Sequence, residues 1–233
     1  MPAVELRNIF KSFEIKKGKK ELFLHPFRKR YKEVLKDISF LLDGSGICSL
    51  IGPNGSGKTT LLRIICGILY PDRGEVLINN MPFSLNPNKV YLISESDKGF
   101  FPRLSLINNL RFFASLTSSD KKSIYEKTER IISDFELTNE KDTRFQELSS
   151  GTRQRLAIAR AMLFNPEILL FDEITKGIDI AQQKLIYTLI RRLRDEGRII
   201  IFATHLLYEA EELTDRIILL YQGRIEGFGP FGQ

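Results

Sequence analysis

The stretch Gly52-Pro53-Asn54-Gly55-Ser56-Gly57-Lys58-Thr59 constrains this chain more than any other. An apolar run, Ile47-Cys48-Ser49-Leu50-Ile51, leads into it, and a helical pattern, Thr60-Leu61-Leu62-Arg63-Ile64-Ile65-Cys66, leads out. Strand, glycine loop and helix in that order are the context that a phosphate-binding loop of the form G-x-x-x-x-G-K-[ST] requires. Glycines let successive backbone N–H groups curl around a polyphosphate. The helix N-terminus adds partial positive charge. Lys58 is placed to reach β- and γ-phosphates, and the Thr59 hydroxyl to bind Mg²⁺. The expected nucleotide contacts run from Gly52 to Thr60. A nucleoside triphosphate is the expected ligand, and its hydrolysis the expected reaction.

The bulk numbers agree with such a domain and exclude others. The chain has 233 residues, 42% of them hydrophobic and 27% charged, which suits one large α/β domain or one domain with a subdomain. No apolar run approaches the ~18 residues of a membrane helix. The first residues, Met1 to Arg7, carry no apolar signal-peptide core. Cys48 and Cys66 lie in apolar runs and read as small buried hydrophobes of a reducing cytosol. The net charge of +6 permits a nucleic-acid or anionic-lipid partner without requiring one, and no nucleic-acid partner is expected.

Along the chain, 4–10 and 35–42 read as strands by rough alternation. Between them, 16–32 mixes bases with aromatics; it is either a solvated loop or a patch for anionic headgroups or a membrane partner. His25 in this loop has no evident role. Strands follow at 75–78 and 89–93, with a turn at Pro71-Asp72-Arg73-Gly74. From 104 to about 137 the apolar spacing becomes helical. From Leu148 the pattern returns to α/β: strands at 168–171, 199–202 and 217–221, helices at 153–163, 182–195 and 206–214. Continuous apolar strands alternating with helices imply a buried, largely parallel sheet. The tail from Gly227 to Gln233 reads as a loop.

Glu167-Ile168-Leu169-Leu170-Phe171-Asp172-Glu173 is an apolar strand ending in two acids, where α/β sheets place their ligands. Asp172 suits Mg²⁺ coordination, directly or through water. Glu173 suits polarising the attacking water, because phosphoryl transfer needs positioning and charge more than covalent chemistry.

With these two segments in place, the sequence resembles the nucleotide-binding subunits of ATP-binding cassette (ABC) transporters over essentially its whole length. The most specific element is Leu148-Ser149-Ser150-Gly151-Thr152-Arg153-Gln154-Arg155, which is similar to the LSGGQ signature, with Ser150 for glycine and Thr152 for glutamine. Ser149 and the Gly151 N–H at a helix start make an anion site; the resemblance implies that it covers the γ-phosphate of ATP held by a partner subunit. Ala203-Thr204-His205 resembles the switch-histidine loop, so His205 would contact the γ-phosphate and help order Glu173 and the water. Thr175-Lys176-Gly177-Ile178-Asp179 resembles the D-loop, with Gly177 and Asp179 in agreement and Ile174 and Lys176 departing. Phe13 falls where the family stacks an aromatic on adenine; its alternative is a place in the core. The glutamine that usually follows the strand ending here at Ile93 is missing. Ser94 or Glu95 stands in its place, and Glu95 is preferred as the third metal ligand with Thr59 and Asp172 because a carboxylate is the better Mg²⁺ partner.

The segment Phe101 to Phe113 is similar to segments of type-2 ABC exporters. The resemblance implies a P-loop NTPase of the ABC ATPase type: a mostly parallel core over about 1–93 and 145–233, an N-terminal antiparallel β part, and a helical insert over about 94–144 that receives a permease. Phe100, Phe101 and Leu104 are candidates for that receiving surface or for helix core. It further implies two cassettes, identical or sister chains, paired head to tail around two ATP molecules on the cytoplasmic face of a membrane, driving a separate multi-span permease. Rival readings are a soluble ABC ATPase acting on ribosomes, DNA or Fe–S assembly, and a P-loop kinase. One cassette with no coiled-coil arm disfavours the first. The signature loop and switch histidine disfavour the second.

Overall fold

Two strands explain the architecture. In β7 (Ile168–Asp172) and β8 (Ile199–Thr204) nearly every residue is buried, so both faces of their sheet must be covered. Ile168, Leu170, Ile199 and Ile201 turn to one apolar cluster; Leu169, Phe171, Ile200 and Phe202 turn to another. This is the period of two that a pleated strand imposes. The computed structural model describes residues 1–15, 30–94 and 99–231. Glu95, His25 and most of the basic-aromatic segment lie outside the described residues.

The central sheet also contains β3 (Gly46–Ile51), β6 (Val90–Ser94), β9 (Arg216–Tyr221) and β10 (Arg224–Pro230), in the order β10-β9-β3-β8-β7-β6. All neighbours pair parallel except the β9–β10 hairpin. A second, antiparallel sheet has the order β2-β1-β4-β5, from β1 (Ala3–Glu14), β2 (Tyr31–Asp43), β4 (Arg73–Ile78) and β5 (Met81–Pro82). Helix α1 (Lys58–Ile65) shares one cluster with both sheets, burying Leu61, Leu62, Ile64 and Ile65 among Val4, Ile38, Leu50 and Leu170. That burial fixes the helix whose N-terminus ends the glycine loop.

The opposite face carries α2 (Leu106–Ser115), α3 (Lys121–Asp134), α4 (Ser150–Met162) and α5 (Ile180–Asp195), with α6 (Leu207–Leu213) closing the row. Oxygen side chains cap four of these helices at the N-terminus: Ser105, Asp120, Ser149 and Asp179 each accept from a backbone N–H three residues on.

Two sequence expectations, the tail and Cys66, need correction, and the open choice for Phe100 between surface and core is decided. Residues 224–230 form a strand where a loop was expected over the tail; Gln222 (φ 46°) and Gly223 (φ 80°) make a tight left-handed turn that folds β10 back onto β9. Glycines and a proline disguised it, and such residues are tolerated on an edge strand. Phe100 is core, 6% exposed, and its ring stacks on Phe145 with centroids 4.8 Å apart. Phe101 and Leu104 remain exposed on the loop before α2. Cys48 is buried as expected, but Cys66 is only half-buried.

Candidate functional site

The glycine loop connects β3 to α1, and its shape follows from close packing. Gly57 at the cap of α1 has φ 111°, and a side chain there would also strike Leu35. A Cβ at Gly52 would lie 2.2 Å from the Leu220 carbonyl oxygen. Beside the loop opens a cavity of about 560 Å³. Asn54, Gly55, Gly57, Lys58, Thr59 and Thr60 line it from the loop and the start of α1. Ser94, Asp172 and Glu173 line it from the tips of β6 and β7, and Phe13 from β1. Among the described residues the buried Ser56 hydroxyl has no hydrogen-bond partner.

The Lys58 ammonium is 5% exposed; it donates to the carbonyls of Gly52 (2.7 Å) and Pro53 (3.2 Å) and lies 3.8 Å from Glu173 Oε1. Burial pulls it below the usual lysine value, while the Glu173 and Asp172 carboxylates pull the other way. Thr59 Oγ1 donates to Asp172 Oδ1 at 3.1 Å. Burial raises the Asp172 carboxyl above the ordinary aspartate value, partly offset by the Thr59 hydrogen bond. His205 Nδ1 sits 3.2 Å from Glu173 Oε1. Glu173 therefore stands between a lysine and a histidine, at a backbone φ of 52° that glutamate seldom adopts.

Sequence reasoning overlooked three residues of the cavity wall: Lys32, Val34 and Arg63. Lys32 arrives through long-range pairing, because the β1–β2 register sets it opposite Phe13. Arg63 had a local signal, standing on α1 beyond the glycine loop. The Phe13 ring is 41% exposed, with the Lys11 ammonium 5.6 Å from its centroid, so it is no core residue.

Ser149, Gly151 and Asp179 do not line this cavity. Ser149 caps α4: its Oγ accepts from Thr152 N at 3.1 Å and lies 2.9 Å from Thr152 Oγ1. Asp179 caps α5 through Gln182 N at 3.0 Å. Gly151 is pressed against Gln182, whose Cβ would lie 2.9 Å from a Cβ added at Gly151. The signature-like turn and the start of α5 thus pack as one unit.

The donor set suits ATP with Mg²⁺. A glycine cradle, a buried lysine and a helix start offer positive potential to phosphate. Thr59 and Asp172 supply two hard oxygens at one point, which fits an ion that keeps most of its waters and shares phosphate oxygens. Among the described residues, no three His, Cys, Asp or Glu side chains gather as a metal cage.

Comparison with known proteins agrees with this geometry. The ABC transporter family profile matches residues 35–176. The ABC transporter ATP-binding protein NatA of Bacillus subtilis is 28% identical over 202 residues, covering 85% of this chain and 82% of NatA. The uncharacterized ABC transporter ATP-binding protein YdbJ of the same organism is 39% identical over 84% of this chain and 64% of its own length. The protein MJ1023 of Methanocaldococcus jannaschii, described in the same words, is 32% identical over 85% of this chain and 72% of its own. The structure of cbiO1 from Clostridium perfringens, part of the ABC transporter complex cbiONQ, shares the fold with a TM-score of 0.82 at 22% identity, over 97% of this chain and 88% of that one. A family match over more than half of the chain, and a relative aligned along most of both chains, go beyond likeness of fold: the chain belongs to the ABC transporter family, as one of its ATP-binding ATPase subunits.

Proposed function

We propose that this subunit hydrolyses ATP at the Gly52–Thr60 loop to drive a separate membrane permease, in the direction of export. The placing of Lys58 and Glu173 in one cavity beside the Thr59–Asp172 pair, with His205 held against Glu173 from outside the cavity lining, carries the reading. Backbone N–H groups of the loop and the Lys58 ammonium hold the β- and γ-phosphates. Phe13 offers its exposed face to the adenine. Thr59 and Asp172, with Glu95 as the proposed third ligand, would hold Mg²⁺, which would supply charge neutralisation at the phosphates. Glu173 orients the attacking water and accepts its proton as the oxygen closes on phosphorus. His205 keeps Glu173 aimed and meets the γ-phosphate.

A second cassette completes the site. Ser149, Gly151 and Asp179 lie away from the cavity of their own chain, so they suit the ATP of a head-to-tail partner, identical or a sister chain. Closure around ATP and reopening after hydrolysis move the permease, which docks on the insert over 94–144 from the cytoplasmic side. Two observations favour a permease partner. No helix among the described residues is long and apolar enough to cross a membrane. Phe101, Leu104 and Phe112 form an exposed apolar patch on the insert. Export rests on the type-2-like segment 101–113 and the missing glutamine.

The test is Glu173→Gln. Hydrolysis should fall about 10²- to 10⁴-fold, the usual worth of a general base, while light scattering shows a dimer only with ATP and Mg²⁺. Hydrolysis at the native rate would remove Glu173 from the mechanism. A monomer under both conditions would mean that two copies of this chain do not form the sandwich.

A further inference from the structure

A second carboxylate, behind the site, ties its two catalytic loops together. Glu209 on α6 is 1% exposed, and three hydroxyls converge on it. Thr175 Oγ1 and Tyr187 OH (3.1 Å) donate to its Oε1, and Thr204 Oγ1 donates to its Oε2. Thr175, Thr204 and Tyr187 are themselves 4% exposed or less. The placement of the threonines matters most. Thr204 immediately precedes His205, and its Oγ1 also accepts from Leu206 N at 3.0 Å, so it pins the turn that carries the histidine. Thr175 lies two residues after Glu173. One buried carboxylate therefore grips the loop of each residue of the His205–Glu173 pair, which meets at 3.2 Å.

We propose that Glu209 is a positioning residue for ATP hydrolysis, holding the Glu173 and His205 loops at their working separation and so setting kcat rather than nucleotide affinity. This rests on the roles given above to Glu173 and His205. The hydrogen-bond inventory shows why a carboxylate is needed. Three donors require an acceptor-only group. A glutamine must spend one end donating. That end turns to Thr204, because the other faces two donors. Thr204 already accepts from Leu206, so its own proton loses its acceptor and the His205 turn loosens. Misplacing a catalytic group by an ångström costs up to about 10²-fold in rate.

Steady-state hydrolysis and ATP binding would be measured on Glu209→Gln, Thr204→Val and Glu173→Gln, well below their melting temperatures. Thr204→Val keeps shape and deletes one hydroxyl, so it carries the test if Glu209→Gln fails to fold. The expected result is kcat reduced about tenfold or more with KM within about threefold of native. Adding Glu209→Gln to Glu173→Gln should cost less than it costs the native protein, because the share of its effect that runs through Glu173 is already gone and only the His205 contact remains to be loosened. Native kcat in Glu209→Gln or Thr204→Val, or additive losses in the double variant, would overturn the proposal. If Glu173→Gln itself keeps its rate, the underlying assignment fails instead, and the two failures are distinct.

Discussion

Gly151 separates packing from chemistry within the signature-like turn. It is the second residue of α4, and an added Cβ would lie 2.9, 2.8 and 2.7 Å from Gln182 Cβ, Cγ and Oε1. Rotamer changes in Gln182 can remove Cγ and Oε1 but not Cβ, which the α5 backbone fixes. Relief then requires α4 and α5 to part by roughly half an ångström, an overpacking worth about 1–3 kcal/mol. Alanine returns up to about 1 kcal/mol of helix propensity over glycine, and less in a first turn. The clash wins. Gly151→Ala should lose about 1–2 kcal/mol, a drop in Tm of roughly 2–8 °C for a chain of this size. Gln182→Ala in the same chain should recover part of it, because Cβ remains; alone it should cost little, since Gln182 Oε1 is buried with no hydrogen-bond partner among the described residues. Gly227→Ala is the control, with nothing nearer than 3.8 Å, and should melt near the native temperature. Thermal unfolding followed by circular dichroism reads all four. Should Gly151→Ala melt at or above the native temperature, the packing account is refuted. A loss of hydrolysis at unchanged Tm would then assign the glycine to ligand approach.

Three other perturbations test separate parts of the site. Phe13→Ala should weaken ATP by about 1–3 kcal/mol, the usual worth of base–aromatic stacking, and GTP by a similar amount; competition with a fluorescent nucleotide reads both, and unchanged affinity would leave Phe13 a strand residue beside the cavity. In the proposed site Asp172 holds Mg²⁺ only when ionised, and its carboxyl is raised by burial. Protons therefore compete with the ion from a higher pH than an ordinary aspartate allows, so Mg²⁺-dependent ATP affinity should start to fall on acidification above that range, and Asp172→Asn should abolish both the Mg²⁺ dependence and this pH dependence. Burial pushes the Cys48 thiol up to about 12, and Cys48 is 2% exposed, so a maleimide should modify Cys66 in the native protein and reach Cys48 only in denaturant; native-state labelling of Cys48 would show that the β3 layer opens.

What the sequence disclosed was what nearest neighbours encode. The glycine loop, the apolar β7 strand with its two acids, and His205 after β8 each carry their meaning within ten residues. The residues that escaped notice get theirs from distant partners. Asn109 looks like a polar helix residue, yet it is fully buried, and its amide bonds the backbone of Phe101, Leu104 and Ser105, shaping the loop that presents Phe101 outward. Glu209 reads as the solvent face of a short helix until Thr175, Tyr187 and Thr204 are folded around it. Phe100 and Phe101 are adjacent aromatics with opposite fates, and the distant partners Phe113, Phe145 and Arg160 make Phe100 the core residue. The Lys32 wall of the cavity depends on strand register across an intervening segment.

The adjacent acids Asp172 and Glu173 show how such geometry adds to motif. On a continuing strand, successive side chains point to opposite faces, and the two carboxylates could not serve one cavity. Asp172 ends β7 in strand geometry, with its carboxylate on Thr59. Glu173 then turns left-handed, at φ 52°, and its own carboxylate comes round to Lys58 and His205. A non-glycine residue in that region costs about 1–2 kcal/mol. The backbone bond from Glu173 N to the Ala203 carbonyl, at 3.1 Å, helps to hold it there, on the residue two before His205. The strain sits at the residue where relaxation would separate the Glu173 carboxylate from the Asp172 carboxylate, the two groups proposed to orient water and to hold the metal. A glycine would satisfy the backbone and lose the carboxylate that the proposed mechanism uses as its base, so Glu173→Gly should relax the turn and abolish hydrolysis together.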